Sequence, residues 1–563
     1  MRRLASRALS TASIPVRSPR DGQVFAEIAD WSAGEVDAAV AAAKGAAASA
    51  WAKPDAVGVR SASLRALATA IRRDTPRLAD LEARDCGKPI AEAEADMGAC
   101  ADLFDFYAEI APAELAPVPL ALPDAEFASR VVAYPMGIAA CVTPWNYPLM
   151  QAVCKVAPAL AAGCATLLKP SPLASLTCLE MGKLAAAEAG LPDGALTVLT
   201  GGPPDGASDG ASRLLAHPSV DFLSFTGSTR GGVEMLNASA PLVRPSGLEL
   251  GGKGAMLVFD DADLASVVDW AMVGIFVTSG QICSATSRLL VHASKKSELL
   301  EALHAKALAI KLGDPLEAST QMGAVISAES ASRILAIVQV GGRRCTRARP
   351  PARQPPPAPR SLSRTRSLSS ARPSASFRPD RRIMTPLTTT PLALFRALSR
   401  ASPGAQQAQA DGSTLLCGGG DGKGGGGSIP DELAGGYYVQ PTILTDVPLA
   451  SAAWREEIFG PVLCVQTFET EADAVALAND SPYGLAHAVM SSDAARCERV
   501  AAQLEAGTVW MNCNQPLWPV TPFGGWKASG FGKEWGAAGM HEYLRHKTVT
   551  GAVQPGYSWA YYG

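Results

Sequence analysis

The stretch Ile138–Pro170, IAACVTPWNYPLMQAVCKVAPALAAGCATLLKP, decides the fold. It opens on an unbroken apolar run, Ile138–Val142, and turns through a rigid loop bracketed by Pro144 and Pro148. A helical segment follows, then a second apolar run, Ala165–Lys169. Short apolar runs separated by a helix predict buried parallel strands. The pattern continues at Ala195–Leu199 and Val220–Phe225. Such alternation argues for a doubly wound parallel sheet, with its ligand at the carboxyl ends of the strands. Upstream, Glu35–Ala50 and Ser61–Arg72 have helical periodicity, with Leu64, Leu67, Ala68 and Ile71 on one stripe.

A second alternation starts at Arg288–His292 and resumes at Pro461–Phe468, Leu485–Ser491 and Thr508–Asn512, with helices at Glu471–Asn479 and Ala494–Leu504. It predicts a second α/β domain. Between the two lies Gly280-Gln281-Ile282-Cys283-Ser284-Ala285-Thr286-Ser287-Arg288, a cysteine in a loop before a strand. A lone cysteine is more often a small buried hydrophobe. A thiol at a domain seam is also where a nucleophile would stand.

Composition narrows the class. With 563 residues, 48% apolar and 18% charged, the chain suits a globular enzyme of two or three domains. A net charge of −3 gives no electrostatic reason to expect nucleic acid or an anionic membrane. The richest apolar run, from Pro148, is interrupted by Lys155, so no membrane span is expected. Twelve scattered cysteines without paired spacing suggest neither a metal site nor a disulfide framework.

Residues 1–19 carry four arginines, several serines and no acid, as a cleavable organellar leader does, and the arginines favour a mitochondrial address over a plastid one. A frayed basic terminus is the plainer alternative. Residues 341–410 hold fourteen arginines, no lysine and Asp380 as their one acid. Such a segment cannot bury enough apolar surface to fold alone. It is either a disordered basic insert or a gene-model error, and without it the helix Ala331–Val340 and the strand Thr414–Cys417 would be neighbours. The remaining boundaries fall at 20–124 and 138–250 for a cofactor-binding domain, 251–340 and 411–530 for a catalytic domain, and 125–137 with 544–553 for a protruding arm. Ala116–Asp124 reads as a Pro-rich linker.

Several residues around Cys283 have chemical promise. Glu249, between Leu248 and Leu250, is a general-base candidate if desolvated, or else an exposed edge-strand residue. Asn146, just past a strand end and between two prolines, is an oxyanion donor or a turn asparagine. Lys169 ends one strand, and Phe225-Thr226-Gly227-Ser228-Thr229 ends another and opens a helix whose N–H groups can hold a pyrophosphate. No GxGxxG follows a strand. Glu456-Glu457-Ile458-Phe459-Gly460-Pro461 puts an acid and a ring at the head of a strand.

Taken together, these motifs resemble the NAD(P)-dependent aldehyde dehydrogenase superfamily over roughly 14–340 and 414–555. Gln281–Arg288 and Asn512-Cys513-Asn514-Gln515-Pro516 are most like the betaine-aldehyde and aminoaldehyde dehydrogenases. The resemblance implies an α/β fold with a parallel-sheet cofactor domain, an α/β catalytic domain and a β-arm that makes a homodimer or homotetramer. Cys283 would be the nucleophile, Asn146 and the Cys283 N–H the oxyanion donors, and Glu249 the activator of the hydrolytic water. Lys169 would bind the adenosine ribose, Trp145, Gly227 and Ser228 the pyrophosphate region, Glu457 the nicotinamide ribose, and Phe459 the nicotinamide side. Tyr147, Phe523 and Trp518 would line a substrate tunnel. The chain departs from the family at Cys154 and Val277, which are usually Trp, and at Pro172, usually Glu; the last predicts NAD with tolerance of NADP. A CoA-acylating enzyme and a non-catalytic relative are the alternatives, and Cys283, Glu249 and Asn146 together argue against both.

Overall fold

The computed structural model describes residues 13–202, 209–341, 343–344, 412–421 and 429–553. Its first sheet has the order Gly530–Phe531, Ser246–Glu249, Phe222–Thr226, Ile138–Thr143, Ala165–Pro170 and Leu196–Val198. All neighbours are parallel except Gly530–Phe531, which runs antiparallel to Glu249 and Leu248. The chain starts at the central strand Ile138–Thr143, winds outward through Ala165–Pro170 to Leu196–Val198, then crosses back to Phe222–Thr226. The crevice of a doubly wound sheet opens at this reversal.

The helix Pro148–Ala162 takes proline in its first turn and ends on Gly163 at φ 95°, the left-handed closure glycine accepts without strain. It is buried on nearly every side, Lys155 included. It packs against two long helices, Val57–Cys86 and Ile90–Glu114. Leu64, Leu67, Ala68 and Ile71, the expected stripe, are fully buried.

The second sheet has eight strands in the order Arg343–Arg344, Thr414–Cys417, Thr442–Thr445, Val462–Phe468, Arg288–His292, Ala255–Val258, Ala486–Met490 and Thr508–Met511. It is parallel apart from the Thr414–Cys417 and Thr442–Thr445 pair. A three-stranded arm joins Leu544–Ala552 antiparallel to Phe127–Pro135, with Val118–Leu120 at its edge. No described helix is long and apolar enough to cross a membrane.

Four expected boundaries move. The Pro-rich linker supplies the arm's third strand, with Pro119 tolerated because it sits on an edge. The catalytic domain does not run on to residue 530: Phe523, Trp535, Met540 and Tyr543 belong to the first domain's core. Ser13–Arg17 is a strand paired with Val24–Ala29, with Val16 buried, so the folded part begins before residue 20. Residues 1–12 lie outside the described set. The helix before the basic segment runs from Ala328 to Gly341, and Arg343–Arg344 pairs with Thr414–Leu415. The flanks therefore do meet, while residues 345–411 lie outside the described set.

Candidate active site

A cleft of about 440 Å³ opens where the strands of the first sheet end. Pro144, Trp145 and Asn146 follow Thr143; Gly227, Ser228 and Arg230 follow Thr226; Leu250 and Gly251 follow Glu249. The second domain closes it with Cys283, Arg333, Glu457 and Phe459. Ile282 and Ala285 are anchored in the second domain's core, while Cys283 packs against the first. The thiol thus stands at the seam.

Its loop is pinned from several directions. Gln281 donates through Nε2 to Thr278 O at 3.2 Å and accepts from Ile326 N at 2.9 Å. Ser284 donates to Gln515 Oε1 at 2.6 Å, and Gln515 Nε2 returns a bond to Ser284 O at 3.0 Å. Asn514 Nδ2 donates to Thr286 Oγ1 at 2.7 Å. The Asn512–Pro516 motif thus acts largely as a clamp on the Cys283 loop. Gly252 must be glycine, since a Cβ there would sit 2.3 Å from Cys283 O.

Asn146 is buried and donates through Nδ2 to Gln281 O at 2.8 Å. An amide nitrogen carries two protons, so one fixes the side chain and the other is left for an oxyanion. Glu249 is 5% exposed and neither of its oxygens makes a hydrogen bond of good geometry. Burial, reinforced by the Glu534 carboxylate, holds its pKa well above the usual range; Lys155, Lys533 and the Gly525 N–H offset the rise only in part. Lys155 in turn pairs with Glu534 and donates to Ser224 at 3.0 Å. The Cys283 thiol is also pushed up, first by burial and then by the Glu249, Glu457 and Glu534 carboxylates. A carboxylate of raised basicity beside a protonated thiol and an amide donor can add a nucleophile to a carbonyl and later activate water.

The cofactor half is equally particular. Ser228 caps the helix Thr229–Ser239 by accepting from Gly231 N at 3.1 Å. A Cβ on Gly227 would come 2.6 Å from the Phe225 ring, so the backbone lies bare at that helix start. Arg230 and Arg333 add positive charge to the cleft. Glu457 Oε1 accepts from Gly252 N at 2.9 Å, and burial lifts its carboxyl to about 7, against the pull of that N–H, Lys253 and Arg333. Phe459 holds φ at 54°, strained for a non-glycine residue, and meets the Trp145 ring edge-on at 5.4 Å. A bare helix start, two arginines and a buried acid in one cleft suit a dinucleotide.

The cleft thus gathers Cys283, Asn146, Trp145, Gly227, Ser228, Glu457 and Phe459, whereas Glu249 lines a smaller cavity beside Cys154, Lys533 and Glu534. Lys169, half-buried at the end of its strand, is not among the lining residues. The expected tunnel aromatics scatter. Trp518 is 57% exposed, Phe523 is buried in the first core, and Tyr147 carries the Lys88 ammonium 3.9 Å from its ring centroid. Trp518 does not fill the space at Cys154; the Trp535 indole lies against that thiol. Arg333 and Trp535 had no signal in the sequence, since each acts across long chain separations, while Arg230 stood just past the Phe225–Thr229 stretch and was passed over.

The chain is similar throughout to proteins of known class. The model of the aldehyde dehydrogenase family matches residues 6–349 and 380–549. The peroxisomal aminoaldehyde dehydrogenase 2 of Pisum sativum is 41% identical over 544 residues, 95% of this chain and 92% of that protein. The chloroplastic betaine aldehyde dehydrogenase of Amaranthus hypochondriacus is 39% identical over 555 residues, 98% and 95% of the two. Among solved structures, the betaine aldehyde dehydrogenase of Staphylococcus aureus in complex with NAD+ superposes with a TM-score of 0.82 at 31% identity, covering 99% of this chain and 95% of that one. The mitochondrial address gains no support from relatives named chloroplastic or peroxisomal. With its doubly wound crevice, its pinned thiol and matches of this extent, the chain belongs to the aldehyde dehydrogenase family.

Proposed function

We propose that this chain oxidises an aldehyde of the betaine-aldehyde or aminoaldehyde kind to its carboxylic acid, with NAD as oxidant and some tolerance of NADP. The observation that carries the reading is Cys283 at the seam of a cleft it shares with Asn146 and the cofactor candidates, near enough to the buried Glu249 carboxylate for that charge to raise its pKa.

Cys283 loses its thiol proton to solvent as its sulfur attacks the aldehyde carbon, so the S–H bond breaks and an S–C bond forms in a thiohemiacetal. The free Asn146 N–H and the Cys283 backbone N–H take up the charge that develops on oxygen. NAD, when bound, supplies the hydride acceptor that makes this adduct a thioester. Glu249 then removes a proton from water, the water attacks the thioester carbon, and the carboxylic acid leaves as the Cys283 thiol is restored. Trp145, Gly227, Ser228, Arg230 and Arg333 would hold the diphosphate, Glu457 and, from outside the cleft lining, Lys169 the two riboses, and Phe459 the nicotinamide side.

Pro172 can neither hydrogen-bond the adenosine ribose nor repel a 2′-phosphate as an acid would. Pro172→Glu is therefore expected to lower the NADP/NAD ratio of kcat/KM; an unchanged ratio would remove this basis for NADP tolerance. The arm's open edge, Val118–Leu120, supports a homodimer or homotetramer. An Arg-rich leader serves a plastid as well as a mitochondrion, and the chloroplastic relatives favour the plastid. The test of the whole reading is a panel of cationic and neutral aldehydes assayed with both nicotinamide cofactors. Acid formation with cofactor reduction is the expected result; no reduction with any aldehyde would overturn it.

A further inference from the structure

The backbone just before the nucleophile is strained. Thr278 (φ 49°, ψ 32°), Ser279 (φ 55°, ψ 33°) and Gly280 (φ 71°) are three consecutive left-handed residues, and only the glycine is at ease there. A non-glycine residue in this region costs on the order of 1–3 kcal/mol, more readily so when β-branched, and persists only where the surroundings impose it. Ser279 is fixed by its hydroxyl to Gly323 O at 2.9 Å. Thr278 is held by a residue 186 positions away: its N–H and its Oγ1 both donate to Oε2 of Glu92, at 2.9 and 2.8 Å.

Glu92 stands in the first turn of the helix Ile90–Glu114, where a negative charge is favoured. Glu92 is half-buried, and the loss of water around its carboxyl raises its pKa to about 7 against the two Thr278 bonds and the Lys88 charge. Burying an acid at this cost calls for a return. The network also reaches the other side of the cleft. The Tyr147 hydroxyl lies 3.0 Å from Thr278 Oγ1. The single Thr278 proton points at the carboxylate, so Tyr147 donates to Thr278. Tyr147 adjoins Asn146, and its ring is backed by Lys88, itself 2.5 Å from Asp96.

We propose that Glu92 is a positioning residue for the reaction: it imposes the left-handed turn at Thr278 and so fixes Cys283 relative to Asn146. This rests on the reading of Cys283 as nucleophile. Without the Glu92 acceptor, Thr278 relaxes toward ordinary backbone angles, and the loop carries the thiol away from the amide that must stabilise its adduct. Misplacement by about 1 Å can cost on the order of a hundredfold in rate.

The test compares Glu92→Ala, Glu92→Gln and the double variant Glu92→Ala with Thr278→Gly by single-turnover cofactor reduction, steady-state kinetics and thermal melting. Glu92→Ala is expected to slow the single turnover and kcat by roughly ten- to a hundredfold with KM for NAD unchanged. Glu92→Gln keeps an acceptor oxygen in place and should recover most of that loss. Thr278→Gly removes the strain and should make the Glu92→Ala loss several-fold smaller. Should Glu92→Ala fail to fold, Thr278→Ala alone, which loses the hydroxyl bonds and keeps the backbone one, must reproduce the kcat-only loss in smaller measure. Wild-type protein that does not reduce cofactor would defeat the functional reading itself. Active wild type with Glu92→Ala within twofold of it, or a loss that follows melting temperature and is not eased by Thr278→Gly, would overturn this proposal alone.

Discussion

The loop Thr278–Arg288 and the wall around Cys154 and Val277 are built differently. The loop is held by directional bonds from Glu92, Asn146, Ile326, Asn514 and Gln515, several of them across hundreds of residues. The wall is held by apolar packing: Cys154 sits in the first core with Trp535 against its thiol, and Val277 packs against the second. Hydrogen bonds of fixed length leave little latitude in residue type, so the loop keeps the family's motif. Packing accepts an exchange of volume, so a ring lost at one position can be replaced from another.

The largest effect that could break this contrast is on the clamp. Asn514→Ala removes bonds to Thr286 Oγ1 and to Trp270 O, leaving buried groups unpaired. It should cost about 1–3 kcal/mol of stability and lower kcat well beyond the loss of folded protein. Near-normal kcat in steady-state assays would mean that the clamp does not position the thiol.

Ionisation sharpens the contrast next. Burial lifts Glu92 and Glu457, on the directional side, to about 7, and Asp85, in the helix Val57–Cys86, to about 8. Because their folded pKa values lie above the unfolded ones, the stability they lend is fully present near pH 4 and is lost as pH rises through 7 to 8. At about 1.4 kcal/mol per unit, melting of the cofactor-free protein should drop measurably between pH 6 and 8.5, and Glu457→Gln should flatten the slope. A melting temperature that climbs over this range contradicts the assignment.

The smallest effects belong to the wall. Cys154→Trp should destabilise by about 1–3 kcal/mol, because the Trp535 indole already occupies that space, and adding Trp535→Leu should restore stability. A cation over a ring is worth roughly 0.5–2 kcal/mol, so with Tyr147 backed by Lys88 and two rings absent, the kcat/KM preference for betaine aldehyde over neutral aldehydes should stay within about thirtyfold. A preference of several orders of magnitude would show that the wall holds the substrate cation by some other arrangement.

Sequence reading followed the same divide. The stripe Leu64–Ile71, the strands Ile138–Thr143 and Arg288–His292, and the loop around Cys283 were legible because periodicity and motif are local. The two-residue strand Gly530–Phe531, the edge strand Val118–Leu120 and the indole at Cys154 were not. Each depends on a partner far along the chain, and Pro119 argued against a strand. Glu92 was equally hidden: nothing near it in sequence marks an acid that supports a strained threonine 186 residues away.

The central claim is that Cys283 forms the covalent adduct and Glu249 releases it. Rapid mixing of enzyme, NAD and aldehyde separates the two roles. Glu249→Gln should give an initial burst of reduced cofactor, near one per active site, followed by a stall at the thioester, whereas Cys283→Ala should give neither burst nor turnover. Steady turnover near the wild-type rate in either variant would contradict the account.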